Sequence, residues 1–142
     1  MKKIIVSVFA MSLLSCSVAG TKNERKIPLY EVLSTQSNAG ARIRFFEIIT
    51  EANEMAMLLN DENLKSKIKT TDLQISNFVV LNMGDKSTGG YSIGIDTVVE
   101  TDSSIIITVK ENSPADGSFV TQAFTYPFCV VKINSKKEII FK

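Results

Sequence analysis

The stretch Gly84-Asp85-Lys86-Ser87-Thr88-Gly89-Gly90-Tyr91-Ser92-Ile93 constrains the fold more than any other part of the chain. Before it, Phe78-Val79-Val80-Leu81 reads as a strand; after it, Tyr91, Ile93 and Ile95 alternate with Ser92, Gly94 and Asp96, the period of a strand with one buried face. A polar loop with two adjacent glycines therefore joins two strands. Glycine enters φ > 0 at little steric cost, so this backbone can turn sharply and leave its amides accessible. Further on stands Thr121-Gln122-Ala123-Phe124-Thr125-Tyr126-Pro127-Phe128. Pro127 donates no hydrogen bond and pushes Tyr126 toward an extended conformation, which suits a sheet edge or a bulge.

Around these two elements the pattern predicts a small, mostly β domain. Leu29 to Leu33 reads as a first short strand, closed by a polar turn from Ser34 to Gly40. Ala41 to Ile49 has strand composition, and a helix should follow, with Thr50 as cap and Glu51 and Glu54 in the first turn, where negative charge is favoured. Ala52, Met55, Ala56 and Leu59 form an i, i+3, i+4, i+7 face, and Met55 and Met57 read as packing residues. Asn60 to Thr71, with Lys65, Lys67 and Lys69 at alternate positions, reads as a solvated connector. From Leu73 onward strands dominate, with turns at Gly84 to Gly90, Thr101 to Ser103, Asn112 to Ser118 and Asn134 to Lys137. Ile105, Ile107 and Val109 share one face, and Phe119 to Phe124 and Val130 to Phe141 supply further strands. The expected fold is α+β: a single small domain, a curved antiparallel β-meander with one helix packed on it.

The N-terminus has the form of a lipoprotein signal. Lys2 and Lys3 precede the apolar run Ile4 to Leu14, and Leu13-Leu14-Ser15-Cys16 has the form of a cleavage box. The run is far shorter than the ~20 residues that span a bilayer as a helix. Residues 1–15 are thus expected to be a signal peptide, Cys16 the lipid-bearing new N-terminus, residues 16–28 a lipidated polar tether, and residues 29–142 the domain. Ser17 is not the aspartate that retains some lipoproteins at the inner membrane, which favours the outer membrane of a bacterial envelope.

Composition removes whole classes of function. The chain has sixteen basic and fifteen acidic side chains, two of the basic ones in the signal, so the mature protein is close to neutral and offers no electrostatic footprint for nucleic acid. It contains no histidine, which excludes Ser-His-Asp and Cys-His catalysis and histidine-bearing zinc sites. With Cys16 lipidated only Cys129 remains, in an apolar strand pattern, so no intrachain disulfide forms and a buried, inert thiol is expected. Asp85, Asp96 and Asp116 sit in turns, where aspartate bonds local amides, and Thr88 and Ser92 lack a base. The expectation is a protein that is not an enzyme and takes no metal or cofactor.

The elements quoted above, in this order, resemble the C-terminal domain of PrcB, the lipoprotein subunit of a bacterial surface protease complex. The loop matches that family's G-x-x-x-T-G-G-Y-S-I signature, Val109-Lys110-Glu111-Asn112-Ser113-Pro114 its V-x-E-x-x-P step, and Thr121 to Phe128 its T-Q-A-x-T-x-P-[FY] element. The resemblance runs from about residue 40 to residue 142. One departure is that Met55 and Met57 stand in the early helix, where family members commonly carry a tryptophan. The resemblance implies a lipid-anchored accessory protein that binds and stabilises or localises a protease or another envelope protein, touches the membrane through its lipid, and does not bind nucleic acid.

Which residues would make the contact is a matter of physical reading. Lys86, Thr88, Gly89, Gly90 and Tyr91 are expected to lie beside Gln122, Tyr126, Pro127 and Phe128 and to bind the partner. Aromatic rings next to glycine and proline offer rigid contact area at low entropic cost, and loop amides add hydrogen bonds. The bland alternative is that the same residues only specify the fold, with Tyr91 a core tyrosine. A further alternative is a chagasin-like cysteine-protease inhibitor, because Thr88 to Tyr91 is similar to the N-P-T-T-G-Y loop and Tyr126 to Phe128 to the R-P-[WF] loop. The Asn-Pro start and the arginine are missing here, and a helix ahead of the sheet is foreign to that all-β sandwich.

Overall fold

Every residue of Asn77–Met83 is buried, and a strand is buried at successive positions only if its sheet is covered on both faces. The computed structural model, which describes residues 27–142, shows what covers it. The elements are β1 (Tyr30–Gln36), β2 (Arg44–Ile49), α1 (Ala52–Leu59), a 3-10 turn at Thr70–Gln74, β3 (Asn77–Met83), β4 (Ser92–Glu100), β5 (Ser104–Asn112), β6 (Phe128–Ile133) and β7 (Glu138–Phe141). They form two sheets, an antiparallel one in the order β1-β6-β3-β2 and a smaller one in the order β4-β5-β7, in which β5 and β7 run parallel.

Alternation along β3 and β6 then divides the core in two. Val79, Leu81, Met83, Cys129, Val131 and Ile133 face the second sheet and pack on Ile93, Ile105, Ile107 and Ile139. Phe78, Val80 and Val130 point the other way, with Leu33 and Ile49, onto Met55 and Leu58 of α1 and onto Leu64 and Ile68 of the segment after it. The result is three layers: helix and connector, four-stranded sheet, three-stranded sheet. Cys129 is a buried free thiol as expected; burial raises its pKa, against a weak lowering by the Thr35 hydroxyl 3.7 Å away.

Several expectations are corrected. The strands make two facing sheets, not one curved meander: β3 and β4, joined by the glycine loop, lie in different sheets, because β2 and β6 already occupy both edges of β3. Phe119 to Phe124 is loop, not strand, and Asp96 lies within β4, not in a turn. β1 extends to Gln36, past the start of the expected turn, and β2 begins at Arg44, three residues later than expected. The helix caps at Glu51, not Thr50, and buries Met55 and Leu58, leaving Ala52 and Ala56 exposed. The connector is not merely solvated, since Leu64 and Ile68, four residues apart on successive turns, are buried against the sheet. The signal peptide, Cys16 and the tether as far as Lys26 lie outside the described residues.

One ion pair ties the connector to the sheet. Lys132 Nζ on β6 lies 2.9 Å from Asp72 Oδ2, with both side chains largely buried. Burial opposes ionisation of Asp72, but the hydrogen bond from Lys132, the Lys69 amide and the nearby positive charges outweigh it and hold the carboxyl below its usual range. A carboxyl that is more acidic folded than unfolded contributes stability above its unfolded pKa of about 4 and loses it as pH falls through the folded value. Asp72→Asn is therefore expected to lower the urea midpoint at neutral pH, with the gap to the parent protein narrowing below about pH 4. A gap that is constant across that range would mean that the pair's charge plays no part.

Candidate functional site

The glycine loop is built to cross between sheets. Gly84 ends β3 at φ +77°, a conformation that side-chain-bearing residues rarely adopt, and an added Cβ would come 3.0 Å from the Arg44 amide nitrogen. From there the loop is stitched to the segment before β6. Lys86 and Thr125 exchange backbone hydrogen bonds of 2.9 Å in both directions, the Gly89 amide donates to the Thr121 carbonyl at 2.9 Å, and the Thr125 hydroxyl donates to the Thr88 carbonyl at 2.8 Å. Gly90, at φ +89°, lies against Pro114, whose Cβ would be 2.8 Å from a Cβ at position 90. The two motifs singled out in the sequence are thus one structural unit.

A third loop joins them. The Tyr126 amide donates to the Ser37 carbonyl at 2.7 Å, and the Gly40 amide donates to the Tyr126 carbonyl at 3.0 Å. Beneath them Asn82, on β3 and fully buried, holds the segment that follows Gly40: its Oδ1 accepts the Ala41 amide at 2.9 Å while its Nδ2 donates to the carbonyls of Ala41 and Ile43. Gly40 packs so closely there that a Cβ would sit 2.1 Å from Asn82 Oδ1. A polar residue at full burial in a central strand is costly unless its hydrogen bonds are met, and here they are met by loop backbone.

The expected contact residues differ in what they can offer. Gly90 and Gln122 are exposed, and Lys86, Thr88, Gly89, Tyr91, Tyr126 and Phe128 are half-buried. Pro127 is buried, and its carbonyl accepts the Met83 amide at 3.0 Å, so it holds the backbone and presents no surface. Tyr91 packs on the inter-sheet core with the Lys86 ammonium 5.8 Å from its ring centroid, and Phe128 packs on the helix-side core. Residues not anticipated from the sequence are the ones that project. Phe119 is fully exposed and Phe124 is 65% exposed, both on the loop between β5 and β6 that the glycine loop pins. Their apolar character invited a strand reading, yet a spacing of five sets them on opposite faces of a strand, so a sheet with one buried face would not cover both, and that was the available signal.

The segment from the start of β3 to just past β6 contains this whole assembly except the Ser37 to Ile43 loop. A family model described as PrcB C-terminal matches residues 77–134. The chain is PrcB-like over that segment. No curated protein and no solved structure gives a match. The PrcB-like span holds the glycine loop, the exposed phenylalanines and Asn82, while β1, β2 and α1 lie before it.

Proposed function

We propose that this protein is a non-enzymatic accessory subunit, held in the bacterial envelope by a lipid on Cys16, that binds a protease or another envelope protein through the end of the domain where the two loops are paired. The observation that carries this reading is the pair of exposed rings, Phe119 and Phe124, on a loop pinned by hydrogen bonds to its neighbour. Burying one such ring against a partner contributes about 1.5–3 kcal/mol, and a loop already held in place loses little entropy on docking. The PrcB-like character of the segment supports a protein partner of this kind.

The layout agrees with anchoring. Asn134, just after β6, bonds the carbonyl of Pro28 at 2.7 Å, so the chain enters the domain at the C-terminal end of β6. The paired loops sit at the N-terminal end of the same strand, roughly 20 Å away for six residues. A lipid on Cys16 would thus join the domain at the end opposite the loop that carries Phe119 and Phe124. The inhibitor alternative fits less well, because Tyr126 to Phe128 is bonded into the fold at both Tyr126 and Pro127 and does not project as a free loop.

The test is co-purification of the full-length protein from its own envelope. The parent is expected to carry a reproducible protein partner, a protease among the candidates, and Phe119→Ser with Phe124→Ser is expected to lose it with an unchanged urea midpoint. Retention of the partner by the double variant, or no partner with the parent, would sink the proposal.

A further inference from the structure

We infer that a groove beside α1, on the opposite face of the four-stranded sheet from the second sheet, docks an extended peptide of a partner protein carrying a lysine or arginine between two apolar side chains. The groove encloses about 360 Å³, at the small end for ligand sites, enough for a few side chains and too small for a packed helix. Phe45, Ile49, Leu58, Val80 and Phe128 line it, and Met57, 75% exposed, stands at its lip as an adaptable apolar contact. Its charged lining residues are Glu47, Glu54 and Asp61, with no lysine or arginine among them. None of the three is in an ion pair among the described residues.

The shape of the occupant follows from β2. This strand ends its sheet, pairing with β3 alone, so its outer edge has no strand partner among the described residues. An added strand would find there a row facing the groove at every second residue: Phe45, Glu47, Ile49. Opposite residues on the added strand lie within side-chain contact, so the complement of apolar-acid-apolar is apolar-base-apolar. A second copy of this chain is disfavoured, since the antiparallel register that sets Phe45 against Ile49 also sets Glu47 against Glu47, and like charges across a strand pair are destabilising. Glu54 is already fixed as an anion by the Thr50 and Glu51 amides that it accepts, 3.0 and 3.1 Å away, and these bonds lower its pKa. The inference is separate from the paired-loop reading: the groove touches that assembly at Gly40, Ala41, Asn82 and Phe128 but includes neither Phe119 nor Phe124.

The probe is a fluorescein-labelled peptide with Val-Thr-Lys-Thr-Val at its centre, titrated by anisotropy against the full-length protein beside a control in which the lysine is replaced by glutamate. The lysine peptide is expected to bind at least about tenfold more tightly and to weaken as salt is raised. Glu47 is exposed, so substitution there should spare the fold: Glu47→Gln is expected to erase the preference and Glu47→Lys to reverse it, at unchanged urea midpoints. Phe124→Ser should leave both titrations as they are. Equal binding of the two peptides, no binding at about millimolar concentration, or a preference indifferent to Glu47 would overturn the inference. So would loss of binding in Phe124→Ser, which would place the peptide at the paired loops.

Discussion

Phe78→Ala is expected to cost about 3–5 kcal/mol of folding stability, a large share of the about 5–15 kcal/mol that holds an ordinary domain together. Phe78 is fully buried in the middle layer of the molecule, between Ile49 and Lys132 on the flanking strands and beneath the helix and connector. Truncation to alanine would leave a cavity between two layers that are each only one element thick. The neighbours that could collapse into it, Val80 and Val130, are held in register by strand pairing on both sides. Phe124→Ala is the contrasting case. Its ring is mostly in water, so its removal should move stability by no more than about 0.5 kcal/mol. Urea titration of the two variants decides the matter: similar midpoints would mean that the layer assignment, and with it the division of the core, is wrong.

Asn82→Leu is expected to cost about 2–4 kcal/mol and to loosen the paired loops as well. Leucine has the heavy-atom count and branching of asparagine with bulkier ends, and in a buried strand position with room for it an apolar side chain would ordinarily be neutral or stabilising. Here it removes three hydrogen bonds to the backbone of Ala41 and Ile43, and its methyl groups cannot accept the close approach that Gly40 makes. The loop would have to withdraw by about an ångström to regain van der Waals distance. Because Gly40 also bonds the Tyr126 carbonyl, the displacement would reach the segment stitched to the glycine loop. Hydrogen exchange at the amides of Gly89 and Thr125 should therefore accelerate in Asn82→Leu by more than the global loss of stability explains. Exchange that tracks global unfolding alone would mean that the Ser37 to Ile43 loop does not support the site.

Much of this domain was legible in its residues. The alternation of Ile105 and Ile107, the turn at Thr101 to Ser103, the apolar run at Phe78 to Leu81 and the glycines at the end of β3 each report a local constraint that the fold then keeps. The adjacency of the glycine loop and the Thr121 to Phe128 segment also followed from the motifs, and backbone hydrogen bonds join them. The chemical role of Asn82 did not. Nothing in Leu81-Asn82-Met83 distinguishes a side chain pointing to solvent from one that caps a loop forty residues earlier in the chain.

The sequence by itself determined where the chain is extended, where it turns, and which residues share a face, because those properties depend on a side chain and its near neighbours. Tertiary structure alone decided that β3 and β4 part into separate sheets, that β5 takes β7 as a parallel neighbour, and that Leu64 and Ile68 leave a polar connector to cover Phe78. The reason is physical. Strand edges pair through backbone groups that every residue but proline carries, so local sequence leaves the choice of partner open until the whole apolar surface is buried at once. The same holds for Phe119 and Phe124: their apolar character was plain in the sequence, but only the folded chain, with its core already filled, leaves them outside.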